Sequence, residues 1–200
     1  MKAFIAAAAM SLMLGAPVLA EEKRGEKMAP FSPTQLSVED VQSVAPALAR
    51  FGSEVLTEDL WARNELSRRD RSIVTVAILI ARLQPAELKH YVDVALDNGV
   101  TAAEISEIVT HLAFYSGWPN AMSAVAVTKD IFIARGIGRE QLASASPELL
   151  PLNQAMEKQR STTVEQNVGA ISPGLVKFTT QPLFLDLWQR PGLKPRDRSL

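Results

Sequence analysis

Apolar residues recur every three to four positions along most of the chain, and prolines and glycines interrupt them at short intervals. This spacing is typical of amphipathic helices. In residues 46–58, for example, Leu48, Phe51 and Val55 share one face, and Pro46 stands where a helix can begin. No segment combines strict apolar–polar alternation with turn dipeptides. The pattern therefore predicts an all-α fold.

Local signals mark where these helices start and end. Three predicted starts are capping boxes, in which a hydroxyl residue is followed three positions later by an acidic one, so that free backbone amides of the first turn are satisfied. The pairs are Ser37 with Asp40, Ser67 with Asp70, and Thr101 with Glu104. Two further helices are predicted to start at Pro85 and Pro119, and two helices are predicted to end at Gly99 and Gly117.

The segment 72–83 fits two kinds of element. Its run Ile73-Val74-Thr75-Val76 is β-branched, which is typical of a strand. The cap at Ser67, the length of the apolar stretch and the arginines near both ends favour a buried helix instead. We therefore predict a helix here.

The first twenty residues have the features of a targeting segment. Lys2 supplies a positive charge, residues 3–14 are apolar, and Ala20 is a small residue that a signal peptidase accepts. We predict a signal peptide at 1–20, a flexible leader at 21–36, and a periplasmic or secreted protein. A retained membrane anchor is the weaker alternative, because the apolar run is short for a bilayer.

Composition removes several classes of function. The chain has 21 basic and 22 acidic residues, so no strong field attracts nucleic acid, and we expect no nucleic-acid partner. It has no cysteine, which excludes disulfides, thiolate catalysis and cysteine zinc sites. Its two histidines fall on different predicted helices and are too few for a metal site. We therefore predict no metal.

Part of the chain is repeated. A shift of 127 residues places residues 44–73 over residues 171–200 with 13 of 30 positions identical, among them Asp59-Leu60-Trp61 and Arg69-Asp70-Arg71-Ser72. The second copy stops where the first continues into the helix predicted at 72–83. The chain is therefore either a fragment, or its partial second copy docks elsewhere.

Ordered motifs in the first copy resemble those of the carboxymuconolactone decarboxylase family, over about residues 44–135. The motifs are the run 66–77, the pair Glu87-Leu88, the segment 95–101, the pair Glu104-Ile105 and the segment 111–119. The resemblance implies an all-helical bundle of the AhpD-like superfamily at 37–137, assembled into a homotrimer or homohexamer. Residues 138–170 are then a linker with short helices, and 171–200 a partial second unit.

The superfamily carries two kinds of chemistry. Its peroxidase branch uses a glutamate, a CxxC pair and a histidine, whose positions here hold Ser72, Gln84, Glu87 and Tyr91, so thiol peroxidase activity is excluded. Its decarboxylase branch uses no cofactor, and the usual histidine of that branch falls on Tyr91, one position after His90. The resemblance thus implies cofactor-free acid and base chemistry on a small carboxylated or lactone-like compound.

Four residues are candidate proton carriers: Glu87, His90, Tyr91 and His111. The first three lie within four positions, so a carboxylate, an imidazole and a phenol can meet on one helix surface. His111 faces the core side of the next helix and can move a proton near neutral pH. The alternatives are an ordinary solvated pair for Glu87 and His90, core packing for Tyr91, and a buried, hydrogen-bonded ring for His111.

Four other residues are candidate substrate-binding residues: Arg69, Arg71, Tyr115 and Trp118. The arginines can bind a carboxylate in bidentate fashion, or they can bridge to a neighbouring helix or subunit. Tyr115 lies beside His111 on the same predicted stripe. Trp118 stands at a break between two predicted helices, where it lines a pocket mouth or fills an apolar hinge.

Two classes of function follow. One is a small-molecule enzyme of lyase type; the other is a non-catalytic helical oligomer that binds a ligand or only assembles. None of the four candidate proton carriers recurs in the partial second copy. We therefore expect any active site to lie in the first copy, and residues 171–200 either to serve at an interface or to have no role.

Overall fold

The structure is a computed structural model and describes residues 36–200. The predicted signal peptide, residues 1–20, and the predicted leader up to residue 35 lie outside the described residues. No strand occurs within residues 36–200, which confirms the all-α prediction. In the same range, no helix is both long enough and apolar enough to cross a membrane.

Six α-helices make up the first part of the described chain. They are α1 (Val38–Val44), α2 (Pro46–Phe51), α3 (Arg68–Ala81), α4 (Pro85–Asp97), α5 (Ala102–Ser116) and α6 (Trp118–Ala134), with a π-helical segment, Gly52–Leu60, between α2 and α3. The β-branched run 73–76 is therefore helical, as predicted. Its side chains are apolar on the face that packs inward, and burial of that face outweighs the weak local preference for a strand.

The hydrophobic core lies among α3, α4, α5 and α6. Its fully buried side chains come from all four helices and include Ile73, Val76, Leu88, Val92, Ile105, Ile108 and Ala124. One core residue, Leu193, comes from the far end of the chain and is 2% exposed. The C-terminal segment, residues 171–200, is thus part of the folded body.

The three predicted N-caps are present, and the capping box is complete at Ser37 and Thr101 but not at Ser67. Ser67 accepts a hydrogen bond from the amide of Asp70, and Thr101 and Glu104 bond each other's backbone amides reciprocally. Gly99 and Gly117 end α4 and α5 with φ of 86° and 95°, a region that residues with a Cβ rarely enter. These local signals explain why the predicted bounds of α3 to α6 were nearly correct.

Residues 138–170 differ from the short helices predicted for the linker. A 3₁₀ turn, Arg139–Gln141, is followed by a 15-residue helix, α7 (Gln154–Val168), which begins at the side-chain cap of Asn153. None of the residues of α7 is buried. Its sequence lacks an apolar stripe, so the periodicity that located the other helices was missing here.

Residues 171–200 follow the order of elements seen in residues 44–71. Helix α8 (Pro173–Phe178) leads into a π-helical segment, Thr179–Phe184, just as α2 leads into Gly52–Leu60. Arg69 bonds Asp197, and Arg196 bonds Asp70, both at 2.8 Å. This reciprocal exchange is the contact pattern of a local two-fold axis.

We expect Thr101→Ala to lower the free energy of unfolding by about 1 kcal/mol, because an N-cap oxygen of α5 is lost. Thr110→Ala is the matched control, since Thr110 is exposed within the same helix and bonds only the carbonyl of Ser106. Urea denaturation of the two variants measures the difference. Equal destabilisation by both changes would contradict the assignment of this cap.

Candidate functional site

A glutamate is buried at the centre of the structure. Glu107, His111 and Tyr115 are spaced by four residues on α5 and therefore share one face of that helix. Glu107 is 1% exposed, which is rare for a carboxylate unless it is paired. Its partners come from the C-terminal segment, 83 and 91 residues further along the chain.

Two arginines bind the Glu107 carboxylate. Arg190 donates from Nε at 3.0 Å and from Nη2 at 2.7 Å to Oε1 of Glu107. Arg198 donates from Nη2 at 3.0 Å to Oε2. Burial by itself would raise the pKa of Glu107, but the hydrogen bonds from both arginines outweigh burial and hold this pKa below its usual value. The carboxylate is therefore ionised at neutral pH.

Backbone carbonyls bind the remaining donors of these arginines. Arg190 donates to the carbonyls of Ser144 and Ala145, and Arg198 donates to the carbonyl of Arg190. The cluster formed by Glu107, Arg190 and Arg198 thus connects α5, the turn after α6 and the C-terminal segment. Of the side-chain nitrogens of Arg190 and Arg198, only Nε of Arg198 is buried without a hydrogen-bond partner within residues 36–200.

His111 lies beside the arginine pair. Its Nδ1 is 3.2 Å from Nη1 of Arg198. Because a guanidinium only donates, Nδ1 accepts this bond, and the proton of the neutral ring is on Nε2. Burial and the positive charge of Arg198 lower the pKa of His111 to about 4, against a smaller opposing effect of Glu107. The imidazole is therefore neutral at pH 7.

Aromatic contacts fix the orientation of the imidazole. The ring of Tyr115 stacks on it and the ring of Trp188 packs edge-on against it, each with ring centroids 5.0 Å apart. Nε1 of Trp188 donates to the hydroxyl of Tyr115 at 2.8 Å. His111 is thus held between its own helix and the C-terminal segment.

A cavity of about 280 Å³ opens beside His111. Its apolar wall comes from α3 and α5 and consists of Ile73, Val74, Ala77, Ile78, Ala81, Ile108 and Leu112. Leu193, Asp197, Arg198 and Leu200 line it from the C-terminal segment. The cavity therefore combines an apolar wall with a neutral histidine, an arginine, and a carboxylate that is paired with Arg69 and Arg196.

A larger cavity, of about 510 Å³, lies on the other side of α3. Trp61, Arg71 and Tyr91 line it, and the rings of Trp61 and Tyr91 are stacked with centroids 6.4 Å apart. Arg71 is buried and donates to the carbonyls of Trp61, Arg63 and Leu66. Its charge is used to hold the loop before α3.

The predicted proton carriers fall into two groups. Glu87, His90 and Tyr91 do meet on α4, where the rings of His90 and Tyr91 pack edge-on at 5.0 Å. Burial raises the pKa of both Glu87 and Tyr91, and Glu87 raises that of Tyr91 further. His111 does not join them. Val74 of α3 lines both cavities, so α3 separates Tyr91 from His111.

The other predicted residues are also divided. Arg69 bonds Asp70, Glu104 and Asp197, so it bridges α3 to α5 and to the C-terminal segment. Tyr115 contacts His111, as the predicted stripe indicated. Trp118 is 60% exposed, packs edge-on against Phe114, and lines neither of the two cavities described above.

Four residues of this site were not predicted from the sequence, and residues 171–200 were given no part in a site. The four are Glu107, Trp188, Arg190 and Arg198. Two signals for them were present. Glu107 precedes His111 by one helical turn, and Trp188, Arg190 and Arg198 match Trp61, Arg63 and Arg71 in the repeat. In residues 36–200, no group of three or more acidic or histidine side chains is arranged to hold a metal ion.

Comparison with known proteins places the chain in a family. The model of the carboxymuconolactone decarboxylase family matches residues 46–130, from α2 into α6. The 4-carboxymuconolactone decarboxylase of Acinetobacter baylyi is 30% identical over 106 residues, which cover 53% of this chain and 79% of that relative. The chain belongs to the carboxymuconolactone decarboxylase family.

A second relative of the family is the nitrosuccinic acid decarboxylase npaB of Metarhizium robertsii, 36% identical over 96 residues that cover 46% of this chain and 67% of the relative. The segment matched by the family model contains Glu107 and His111. Arg190 and Arg198 lie outside it. The cluster thus joins the family segment to residues beyond it.

We expect Glu107→Leu to lower the free energy of unfolding by about 3–5 kcal/mol, because two buried arginines lose their carboxylate. Glu54→Leu is the control, since Glu54 forms an exposed pair with Arg50 that contributes little. Thermal and urea denaturation measure both. A loss at Glu107 no larger than at Glu54 would show that the cluster does not hold the C-terminal segment.

The lowered pKa of His111 predicts a pH effect on stability. Between pH 6.5 and 4 the unfolded chain binds a proton at this residue and the folded chain does not, so the free energy of unfolding falls as the pH drops, by up to about 3 kcal/mol. Above pH 6.5 neither the folded nor the unfolded chain binds this proton, so His111 no longer lowers the free energy of unfolding. Urea denaturation from pH 4 to 8 should show the slope in wild type and in His90→Gln, and a shallower slope in His111→Gln. An unchanged slope in His111→Gln would refute the assignment.

Proposed function

We propose that this protein is a decarboxylase of a small organic acid, and that its substrate binds in the cavity beside His111. The observation that carries the proposal is a cavity in which apolar side chains of α3 and α5 meet a neutral histidine and Arg198, whose buried Nε has no hydrogen-bond partner within residues 36–200. Asp197 also lines this cavity, and its carboxylate is paired with Arg69 and Arg196. Hydrogen-bond donors in such a place favour a ligand on which negative charge develops. The volume of about 280 Å³ is below the usual range for drug-sized ligands and suits a small acid.

The relatives support this class of reaction. One is named for carboxymuconolactone and the other for nitrosuccinic acid, and both are named decarboxylases. Each of these compounds carries, besides its carboxyl groups, a lactone carbonyl or a nitro group that can accept an electron pair. We infer a substrate of the same kind for this chain.

The reaction can be assigned to the groups in the cavity. Nε–H of Arg198 and Nε2–H of His111 bind the oxygens of the electron-accepting group. The bond between carbon and the departing carboxylate breaks, carbon dioxide leaves, and the electron pair moves onto those oxygens. The electron pair then returns from those oxygens to the carbon, which takes a proton from water and leaves hydroxide in the solvent. Both donors therefore act where negative charge develops in the transition state.

The apolar wall has a part in this scheme. A carboxylate held against Ile73, Val74 and Ile108 loses its hydration, whereas the transition state spreads the charge and needs less hydration. The wall therefore favours loss of carbon dioxide. Glu107 acts as a positioning residue, since it binds Arg198 and Arg190 and not the substrate.

We infer that the reaction uses no cofactor and is not a thiol peroxidation. The chain contains no cysteine to form the CxxC pair on which the peroxidase branch depends. The proposed steps need only hydrogen-bond donors and water.

We also propose that the protein is exported behind the signal peptide at 1–20, that residues 171–200 are a partial second repeat, and that the protein forms a homotrimer or homohexamer. Apolar side chains at equivalent repeat positions support assembly. Leu48 and Phe51 are 55% and 50% exposed, and their counterparts Leu175 and Phe178 are 52% and 63% exposed. Exposed apolar faces of this kind mark protein interfaces.

Carbon dioxide release from 4-carboxymuconolactone and from nitrosuccinic acid tests the proposed reaction. We expect kcat/KM to fall by about 100-fold or more in His111→Gln and in Arg198→Met, because each loses a donor to the developing charge. Tyr91→Phe distinguishes the two cavities and should change kcat/KM by less than about threefold.

Two results would contradict the proposal. A large loss in Tyr91→Phe with full activity in His111→Gln would place the chemistry in the larger cavity. Binding of these acids by folded wild-type protein without release of carbon dioxide from either would favour the alternative, a non-catalytic ligand-binding oligomer. Circular dichroism of each variant checks that it is folded.

A further inference from the structure

The same motif occupies two different surroundings in this chain. In the C-terminal segment, Leu187 and Leu193 are 3% and 2% exposed because the segment packs on the folded body. Their counterparts 127 residues earlier are Leu60, which is 46% exposed, and Leu66, which is only partly buried. Residues 187–198 and residues 60–71 are closely similar in sequence. The face of α5 that carries Glu107 and His111 packs against residues 187–198 and not against residues 60–71.

The two segments differ at five positions, and one of these, Gly192, is packed against Glu107. Gly192 is packed so tightly that a Cβ on it would lie 2.9 Å from Cγ of Glu107 and 3.1 Å from Cβ of Ala143. Glu107 cannot easily move away, because two arginines bind its carboxylate. The counterpart of Gly192 in the first copy is Glu65.

A glutamate in that place would be excluded for two reasons. Its Cβ would overlap the side chain of Glu107, and its carboxylate would stand beside the buried carboxylate of Glu107. Overlap with packed atoms and repulsion between like charges in a buried site are both costly. Residues 60–71 of a second copy of the chain carry this glutamate and so fit α5 poorly.

We propose that Gly192 makes the face of α5 formed by Glu107, His111 and Tyr115 selective for the chain's own C-terminal segment over residues 60–71 of a second copy. Glu65 is the repulsive element and Gly192 the permissive one. Specificity of this kind, in which a clash rejects the wrong partner, is common where related segments compete for one surface. The proposal concerns assembly and does not rest on the proposed reaction.

The first test removes the permissive residue. Gly192→Glu in the full chain should release residues 187–198, so that their amide hydrogens exchange about tenfold faster or more. Gly174→Glu is the matched control, because nothing lies within 4 Å of a Cβ at that glycine. Gly192→Ala, which adds only the Cβ, should give a smaller effect in the same direction and covers the case in which Gly192→Glu fails to fold.

The second test exchanges the two residues. In the double variant Glu65→Gly with Gly192→Glu, the second change frees α5 and the first removes the glutamate from residues 60–71. Residues 60–71 of a second copy should then bind α5, so the particles should contain twice as many subunits as those of Gly192→Glu. Light scattering coupled to gel filtration measures the mass. Glu65→Gln with Gly192→Glu should stay at the lower mass, since the bulk remains. Glu65→Gly by itself should match wild type, because the C-terminal segment still covers α5.

Two outcomes would overturn the proposal. Unchanged hydrogen exchange in Gly192→Glu would show that the contact tolerates a side chain there. A double variant Glu65→Gly with Gly192→Glu that has the same mass as Gly192→Glu would show that position 65 is not what excludes a second copy.

Discussion

The structure depends on keeping the carboxylate of Glu107 charged in the interior. Removing such a group from water costs several kcal/mol, and the cost is offset only when the charge is paired and its oxygens are hydrogen-bonded. Arg190 and Arg198 supply that pairing from 83 and 91 residues away. Because both must reach α5, the C-terminal segment is fixed in place. Its position in turn sets the tautomer of His111, the stacking of Trp188 and one wall of the smaller cavity.

The parts of the fold that were predictable from sequence are those that depend on local physics. Caps and glycine ends located α3 to α6, because the atoms that satisfy a first or last turn lie within four residues of it. Helix α7 was underestimated for the opposite reason. It has no apolar stripe, and its glutamines, its glutamates and Lys158 favour a helix through intrinsic propensity, a weaker signal than periodicity.

The site was only partly predictable because helical spacing tells which residues share a face and not what covers that face. His111 and Tyr115 were found by their spacing, and so was the cluster of Glu87, His90 and Tyr91. Nothing local indicated that α3 separates the two groups. Glu107 was missed because a glutamate on a helix is usually solvated, and only its distant arginines show that this one is buried.

The repeated motif shows how strongly surroundings decide a role. Arg71 and Arg198 occupy the same repeat position but have different partners. Arg71 donates to three carbonyls of the preceding loop. Arg198 binds Glu107 and His111, and its Nε has no partner within residues 36–200. The difference does not lie in the arginine. It follows from which copy packs on α5. A motif match therefore locates the arginine, and the residues around it decide whether it holds a loop or binds a buried carboxylate.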